Sequence, residues 1–266
     1  MTLLQVIVLA IIQGITEFLP VSSSGHLALV PVLAGWPDQG LVMDVAVHVG
    51  TLGAVIVYLR RDILKICLGL LRLTRGETDD GARLAGLVLI SGLPVFAAGF
   101  LLSKFVGGAL REPAIIGWAF VIFGIVLFIS DRIGEEKRTV SDLKVADAFI
   151  IGFGQACALI PGASRAGTTI TMARFLGIDR REAARFSMLM SIPAIVGAGT
   201  LLGIDVIKSG DSVFQTWVIT ATALAFFAAL IAIYAMMGWL RRQNYTPFVI
   251  YRILLGVVIL LFAGQM

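Results

Sequence analysis

Two short stretches interrupt long apolar segments of this chain: Leu-Pro-Val-Ser-Ser-Ser-Gly-His at 19–26 and Ile-Pro-Gly-Ala-Ser-Arg at 160–165. In each stretch a proline is followed by small and polar residues, a pattern that ends helices. The apolar segments that contain them, 2–34 and 145–176, are therefore predicted to be pairs of half-helices that meet at a tip. Each pair would form a re-entrant hairpin instead of a continuous membrane span.

The composition of the 266 residues indicates a membrane protein. Hydrophobic residues make up 58% and charged residues 14% of the chain, against roughly 45–50% and about 25% in soluble domains. A bilayer core of about 30 Å needs about 20 apolar residues in a helix. Six segments meet this requirement, namely 42–59, 84–103, 113–130, 186–205, 214–238 and 248–265. We therefore predict an all-α integral membrane protein with six spanning helices and two re-entrant helical hairpins.

The positions of lysine and arginine predict an orientation. They crowd into the four segments 60–83, 132–144, 174–185 and 241–252. By the positive-inside rule these segments are cytoplasmic. The N-terminus is then outside, together with the turns near 35–41, 104–112 and 206–213. One hairpin would enter from outside and the other from inside, each followed by three spans.

This plan is an inverted-topology repeat within a single membrane domain, 1–266. Its halves are about 1–130 and about 145–266. When Pro20 is placed on Pro161, Ser23 falls on Ser164, which supports the repeat.

Several other classes of protein are excluded. The net charge of +4 comes from basic residues that lie between apolar runs, so no nucleic-acid surface is expected. Cys67 and Cys157 are too few for a disulfide framework and lack zinc-site spacing. The first basic residue is Arg60, so no cleaved signal peptide is expected.

Ionisable side chains at membrane depth are costly unless they are paired or face a polar cavity. Five stand out, namely Glu17, His26, Asp44, His48 and Arg165. Glu17 and His26 are predicted at the first tip and Arg165 at the second. The alternative for any one of them is a structural ion pair or a side chain that reaches the membrane surface.

The tips are suited to binding an anion such as phosphate, because helix N-termini present free N–H groups and a positive dipole end. Arg165 adds a guanidinium fork that matches phosphate oxygens, and Gly162 allows close backbone approach. Hydroxyl groups at the two tips could bind the same anion; they belong to Ser22, Ser24, Ser164 and Thr169. For Ser22, Ser24 and Thr169 the alternative role is to cap half-helices or to bond helix carbonyls.

A carboxylate beside a phosphate site implies a hard divalent cation between them, Mg²⁺ or Ca²⁺. Glu17 is the predicted ligand, and Gln13 supplies a second oxygen one turn earlier. Asp44 and His48 lie four residues apart on the next helix and share one face. They are expected to form a buried pair that orients the first hairpin, and direct participation in the chemistry is the alternative.

Two segments carry a family resemblance: Gln-Gly-Ile-Thr-Glu-Phe-Leu-Pro-Val-Ser-Ser-Ser-Gly-His at 13–26 and Pro-Gly-Ala-Ser-Arg-Ala-Gly-Thr-Thr at 161–169. They resemble the two signature regions of the undecaprenyl pyrophosphate phosphatases, the bacitracin-resistance family. The segment 44–51 is similar to a third recurring stretch of that family. The chain departs from the family pattern at Gln13, where many members have Glu, and at Ala166, where Ser is usual.

The resemblance implies hydrolysis of undecaprenyl diphosphate to undecaprenyl phosphate and inorganic phosphate, which recycles the lipid carrier of cell-wall synthesis and confers bacitracin resistance. It places the protein in the bacterial inner membrane with the active site facing the periplasm. The functional residues it implies are Glu17, Ser23, His26, Ser164 and Arg165, with Thr169 assisting.

The sequence leaves three questions open. Ser23 with His26 as its base, His26 itself, or a water activated by His26 could be the nucleophile. A homodimer is also left open. An inverted-repeat transporter or flippase is the alternative function, because broken helices and a charge at the midplane are common to both classes.

Overall fold

The computed structural model describes residues 1–105, 112–209 and 212–263. In these residues the regular structure consists of eleven α-helices, one short 3-10 helix at Val140–Asp142 and an isolated bridge between Arg138 and Ile178. The helices are α1 Leu3–Thr16, α2 Ser23–Ala34, α3 Leu41–Tyr58, α4 Arg60–Leu73, α5 Asp80–Phe105, α6 Pro113–Ile133, α7 Val145–Cys157, α8 Arg165–Phe175, α9 Arg180–Ser209, α10 Ser212–Trp239 and α11 Thr246–Phe262.

Five helices are long and apolar enough to cross a bilayer: α3, α5, α6, α9 and α10. They coincide with five of the six predicted spans, and their lengths agree with an all-α, multi-pass membrane protein. The sixth predicted span, 248–265, corresponds to α11, a shorter apolar helix of 17 residues. Within the predicted outer turns 104–112 and 206–213, residues 106–111 and 210–211 lie outside the described residues.

Each predicted hairpin consists of two short helices separated by a break. α1 packs on α2 and α7 packs on α8. The second helix of each pair begins after a serine with a positive φ, 73° at Ser22 and 72° at Ser164. Each serine hydroxyl accepts a hydrogen bond from the third residue beyond it, Gly25 or Gly167. Both serines are N-caps, which is the alternative considered for Ser22 and a role that was not considered for Ser164.

The two caps offer a second alignment of the two hairpins. Ser22 and Ser164 both have a positive φ and the same kind of cap. With Ser22 placed on Ser164, Ser23 falls on Arg165, one residue away from the alignment of Pro20 on Pro161. Proline ends a helix, whereas the capping residue fixes where the next helix begins, so the cap is the better reference point.

The hairpins pack against the long helices in a related way. α1 lies on α10 and α7 lies on α5, while α3 contacts α9 and α6 contacts α11. Glycines allow this close approach: Gly14 faces the backbone of Ala225 on α10, and Gly152 faces the backbone of Ser91 on α5. The hairpins are thereby held with their breaks inside the bundle.

The four basic segments contact one another at one end of the bundle, and the last of them, 241–252, runs from that end into the bundle as far as the buried Arg252. The contacts that join them are Arg185 with Asp62, Arg83 with the Leu143 carbonyl, and the Tyr245 hydroxyl with the Arg180 carbonyl. The first segment contains α4, a helix that hydropathy did not predict because charged residues interrupt its 14 residues. A shared end is what the positive-inside assignment requires.

Candidate active site

The two hairpin breaks meet at Glu17, which is only 7% exposed and lies directly after α1. Arg165, the first residue of α8, donates from Nη2 to Glu17 Oε1 at 2.5 Å. Its Nη1 donates to the carbonyl oxygen of Ser187 on α9 at 2.9 Å. The structure thus brings together the carboxylate of one tip and the guanidinium of the other.

Two more side chains donate to the second oxygen of this carboxylate. The Ser23 hydroxyl lies 2.5 Å and the Gln13 amide nitrogen 2.9 Å from Glu17 Oε2. His48 Nε2 lies 3.4 Å from the same oxygen. Glu17 is therefore the centre of the cluster, and its charge is balanced inside the bundle by Arg165.

Asp44 and His48 share a face of α3, as predicted, and they are linked through the backbone. His48 Nδ1 bonds the Asp44 carbonyl oxygen at 2.6 Å, which turns Nε2 towards Glu17. The Asp44 carboxylate accepts a hydrogen bond of 2.7 Å from the Gln39 amide. His48 therefore contacts the site, while Asp44 helps to orient it.

His26 has different neighbours from Ser23, although the two residues lie on the same turn of α2. Its Nδ1 bonds the Ser22 carbonyl oxygen at 2.7 Å, and its Nε2 lies 2.6 Å from the Tyr251 hydroxyl. The edge of the Phe120 ring packs against it. Both ring nitrogens are thus engaged, and the Ser23 hydroxyl donates to Glu17 instead of to His26.

The remaining predicted residues have largely structural contacts. Ser22 and Ser164 are caps, and the exposed Ser24 lies within 3.4 Å of the Ser22 hydroxyl. Gly162 has a φ of 94°, and a side chain there would meet the Ile116 carbonyl of α6, which accounts for the glycine.

The buried Thr169 hydroxyl donates to the Arg165 carbonyl at 2.8 Å, and it also bonds the Ser187 hydroxyl at 2.7 Å. Because the Ser187 carbonyl in turn accepts from the Arg165 guanidinium, Thr169 helps to hold that guanidinium.

Arg252 corrects the sequence analysis, which counted it among the cytoplasmic basic residues. It is fully buried on α11 and donates to both breaks. The acceptors are the carbonyl oxygens of Pro20 (3.2 Å), Gly162 (3.0 Å) and Ala163 (2.9 Å), with those of Ala119 and Phe120 on α6 at 3.4 Å. Breaks leave backbone carbonyls without helical partners, and a guanidinium with five donors satisfies several at once.

A signal for this role was present in the sequence. Arg252 lies inside the predicted span 248–265 and should have been grouped with the ionisable residues at membrane depth. Tyr251 and Ser187 were also missed, and their residue types carry no comparable signal. Only the packing of α11 and α9 shows what they contact.

The residues named as cation ligands fit such an ion in part. Glu17 already accepts three hydrogen bonds from its neighbours, which leaves one lone-pair direction free. Gln13 Oε1 is buried, and no described residue donates to it. Within the described ranges no group of three or more His, Cys, Asp or Glu side chains is close enough to hold a metal. Two protein oxygens suit a cation whose other ligands are water and phosphate.

Comparison with known proteins is consistent with these features. The family model described as bacitracin resistance protein BacA matches residues 6–258. Undecaprenyl-diphosphatase 1 of Rhodospirillum rubrum is 49% identical over 99% of this chain and 96% of its own length. The undecaprenyl-diphosphatases of Roseobacter denitrificans and Ruegeria pomeroyi are 49% and 50% identical, over 99% and 98% of both chains. The chain therefore belongs to the bacitracin resistance protein BacA family.

Proposed function

We propose that the chain hydrolyses undecaprenyl diphosphate to undecaprenyl phosphate and inorganic phosphate. The names of its relatives support this substrate. The observation that carries the proposal is the buried contact of Glu17 with both Ser23 and Arg165, one from each hairpin break. The cluster combines the Ser23 hydroxyl, the Glu17 carboxylate that can accept its proton, and the Arg165 guanidinium that can bind phosphate. The reaction regenerates the lipid carrier of cell-wall synthesis, which accounts for bacitracin resistance.

Arg165 binds the diphosphate. Its Nη1 is held by the Ser187 carbonyl and Nη2 by Glu17, so the guanidinium plane is fixed before substrate arrives. Phosphate oxygens replace the carboxylate at Nη2, because a guanidinium fork matches two phosphate oxygens as well as it matches a carboxylate. This exchange frees Glu17 to act as a base.

Ser23 is the nucleophile in this mechanism. Its oxygen attacks the terminal phosphorus while its proton passes to Glu17, the acceptor it already contacts. The anhydride P–O bond breaks, and undecaprenyl phosphate leaves with the electron pair. Water then attacks the phosphoserine, loses its proton to His26, and the Ser23 oxygen recovers its proton from Glu17. Inorganic phosphate is released, and His26 gives its proton to bulk water, which restores the starting state of the site.

A divalent cation, Mg²⁺ or Ca²⁺, is part of the proposal. Glu17 and the unpartnered oxygen of Gln13 would hold it, and the diphosphate and water would complete its ligands. When bound, it would neutralise charge on the phosphate oxygens. Phosphate release should fall to background in EDTA and return when Mg²⁺ or Ca²⁺ is added.

We also propose the membrane arrangement: six spans, two re-entrant hairpins and halves of opposite topology, in the inner membrane with the site open to the periplasm. The related packing of α1 on α10 and α7 on α5 supports it. Single cysteines in the turn 35–41 should react with an impermeant thiol reagent in intact cells, and one in 132–142 should not. Labelling in the opposite sense would reverse the topology.

The main experiment is phosphate release from undecaprenyl diphosphate by the purified chain in detergent, with the Arg165→Ala variant as its matched control. Release by the parent and loss in the variant are expected. The alternative, a transporter or flippase, needs no contact between Ser23 and Glu17. It predicts lipid translocation in vesicles with no phosphate released. Association of two copies stays a prediction, which the mass of the solubilised protein would check.

A further inference from the structure

The His26 imidazole is fixed by three neighbours on three helices. His26 Nδ1 bonds the carbonyl oxygen of Ser22, directly before α2. The Phe120 ring of α6 packs edge-on against the imidazole, and the Tyr251 ring of α11 stacks nearly parallel to it, with the two ring centroids 5.7 Å apart. The Tyr251 hydroxyl is 2.6 Å from Nε2. Two hydrogen bonds therefore set the orientation of one imidazole.

These bonds also set which nitrogen of neutral His26 carries hydrogen. A carbonyl oxygen can only accept, so Nδ1 carries the proton and donates it to Ser22. Nε2 then holds the lone pair, and the Tyr251 hydroxyl donates to it. The nitrogen that can act as a base is thus the one bonded by Tyr251.

We propose that Tyr251 is a positioning residue for the hydrolysis, acting through His26. Its hydroxyl donates to the Nε2 lone pair and keeps it oriented until the attacking water takes the place of that hydroxyl. This inference rests on the proposed function, because it assigns His26 the proton of the attacking water. Tyr251 itself exchanges no proton with the substrate in this mechanism.

The position of Tyr251 suits this exchange. Its side chain is 44% exposed, whereas its neighbour Arg252 is fully buried and holds α11 against both breaks. The hydroxyl therefore lies where a water can displace it, on a helix that is fixed by another residue. Loss of the hydroxyl alone should leave the stacked ring and the fold in place.

The kinetic test compares Tyr251→Phe with Tyr234→Phe. Tyr234 of α10 is also exposed, but its ring packs against Tyr58 of α3 and not against His26. For Tyr251→Phe we expect kcat to fall about tenfold, equivalent to about 1.4 kcal/mol, with KM unchanged. Tyr234→Phe should match the parent. When Tyr251→Phe is added to the His26→Ala variant, kcat should not fall further, because Tyr251 acts only through His26.

A spectroscopic test does not depend on activity. The chain has two histidines, so a ¹⁵N-histidine spectrum of solubilised protein contains two imidazoles, and the His48→Gln variant assigns them. In alkaline buffer, Tyr251→Phe should move the unprotonated nitrogen of His26 towards the value of an imidazole without a hydrogen bond there. Tyr234→Phe should not move it.

The inference would be overturned if Tyr251→Phe left the His26 resonance unchanged or left kcat unchanged. It would also be overturned if Tyr251→Phe lowered kcat of the His26→Ala variant as much as it lowers kcat of the parent. A raised KM with normal kcat would make Tyr251 a substrate contact and would also overturn it. If the parent released no phosphate, the proposed function would fail instead. The resonance would then still report whether Tyr251 orients His26.

Discussion

At the break between α1 and α2, Ser22 has a φ of 73° and caps the next helix through Gly25; at the break between α7 and α8, Ser164 has a φ of 72° and does the same through Gly167. The backbone is the same, yet the next residue is Ser23 in one break and Arg165 in the other. Both of these side chains reach Glu17. The first position after the cap therefore points into the site in both halves, and the two halves have placed different chemistry there.

The breaks also differ in charge. Glu17 has no acidic counterpart, since the residue in the matching position of the second hairpin is Leu159. Two carboxylates at this depth would repel each other, whereas one carboxylate and one guanidinium neutralise each other. The comparison teaches that two helix breaks with similar backbone geometry can supply opposite charges to one buried site.

The largest effect is expected at Arg165, which supplies the positive charge of the second break. Arg165→Ala should lower kcat/KM by about 10³-fold, because the phosphate loses its fixed cation. Arg165→Lys should still lower it about tenfold or more, since the lysine lacks the planar fork. Phosphate release from undecaprenyl diphosphate measures both. The exposed Arg132 is the control, and Arg132→Ala should behave like the parent. If Arg165→Lys were as active as the parent, only the positive charge of Arg165 would be needed and not its planar geometry.

Arg252 tests what joins the two breaks. In Arg252→Met the carbonyls of Pro20, Gly162 and Ala163 lose their donor, and we expect a loss of about 3 kcal/mol in stability. Thermal unfolding of the solubilised protein measures it. The exposed Arg242 is the matched control, and Arg242→Met should leave the unfolding temperature unchanged. A fully stable Arg252→Met variant would show that the breaks are held by packing alone.

Variants of Glu17 and Gln13 separate the role of the carboxylate from that of the neighbouring amide. Glu17→Gln should lower kcat about 100-fold at every cation concentration, because the base and the cation ligand are both lost. Gln13→Glu should stay active and reach half-maximal rate at a lower Mg²⁺ or Ca²⁺ concentration, since added negative charge strengthens binding of a hard cation. The measurement is phosphate release across a cation titration.

Two results would count against the cation role. One is full activity in EDTA, and the other is an unchanged cation requirement in Gln13→Glu. A near-normal rate for Glu17→Gln would leave Glu17 as a structural partner of Arg165.

The smallest effects should come from the caps and should be equal in the two breaks. Ser22→Ala and Ser164→Ala should each lower stability by about 1 kcal/mol, while the glycine variants should lose only a few tenths, because glycine tolerates the positive φ. Thermal unfolding compares the four proteins. A raised KM in Ser164→Gly at normal stability would show that this hydroxyl binds substrate in addition to capping the helix.

Local sequence signals predicted the elements well. Pro20 and Pro161 fall in the two breaks, and hydropathy found five long helices, because both signals act over a few turns of chain. Because charge is costly to bury in a membrane, the sequence marked Glu17 and Arg165 as residues that need a partner, and in the structure they contact each other. The same rule, applied to Arg252, would have found the residue that bonds both breaks.

The sequence by itself determined that this chain is an apolar helical protein with two broken helices and a few charged groups at their tips. Only the tertiary structure decided which groups meet: Ser23 with Glu17, His26 with Tyr251 225 residues away, and Arg252 with the carbonyls of both breaks. Composition and periodicity act within one helix. A hydrogen bond between helices depends on the register and rotation with which they pack, and these are set by contacts along the whole bundle.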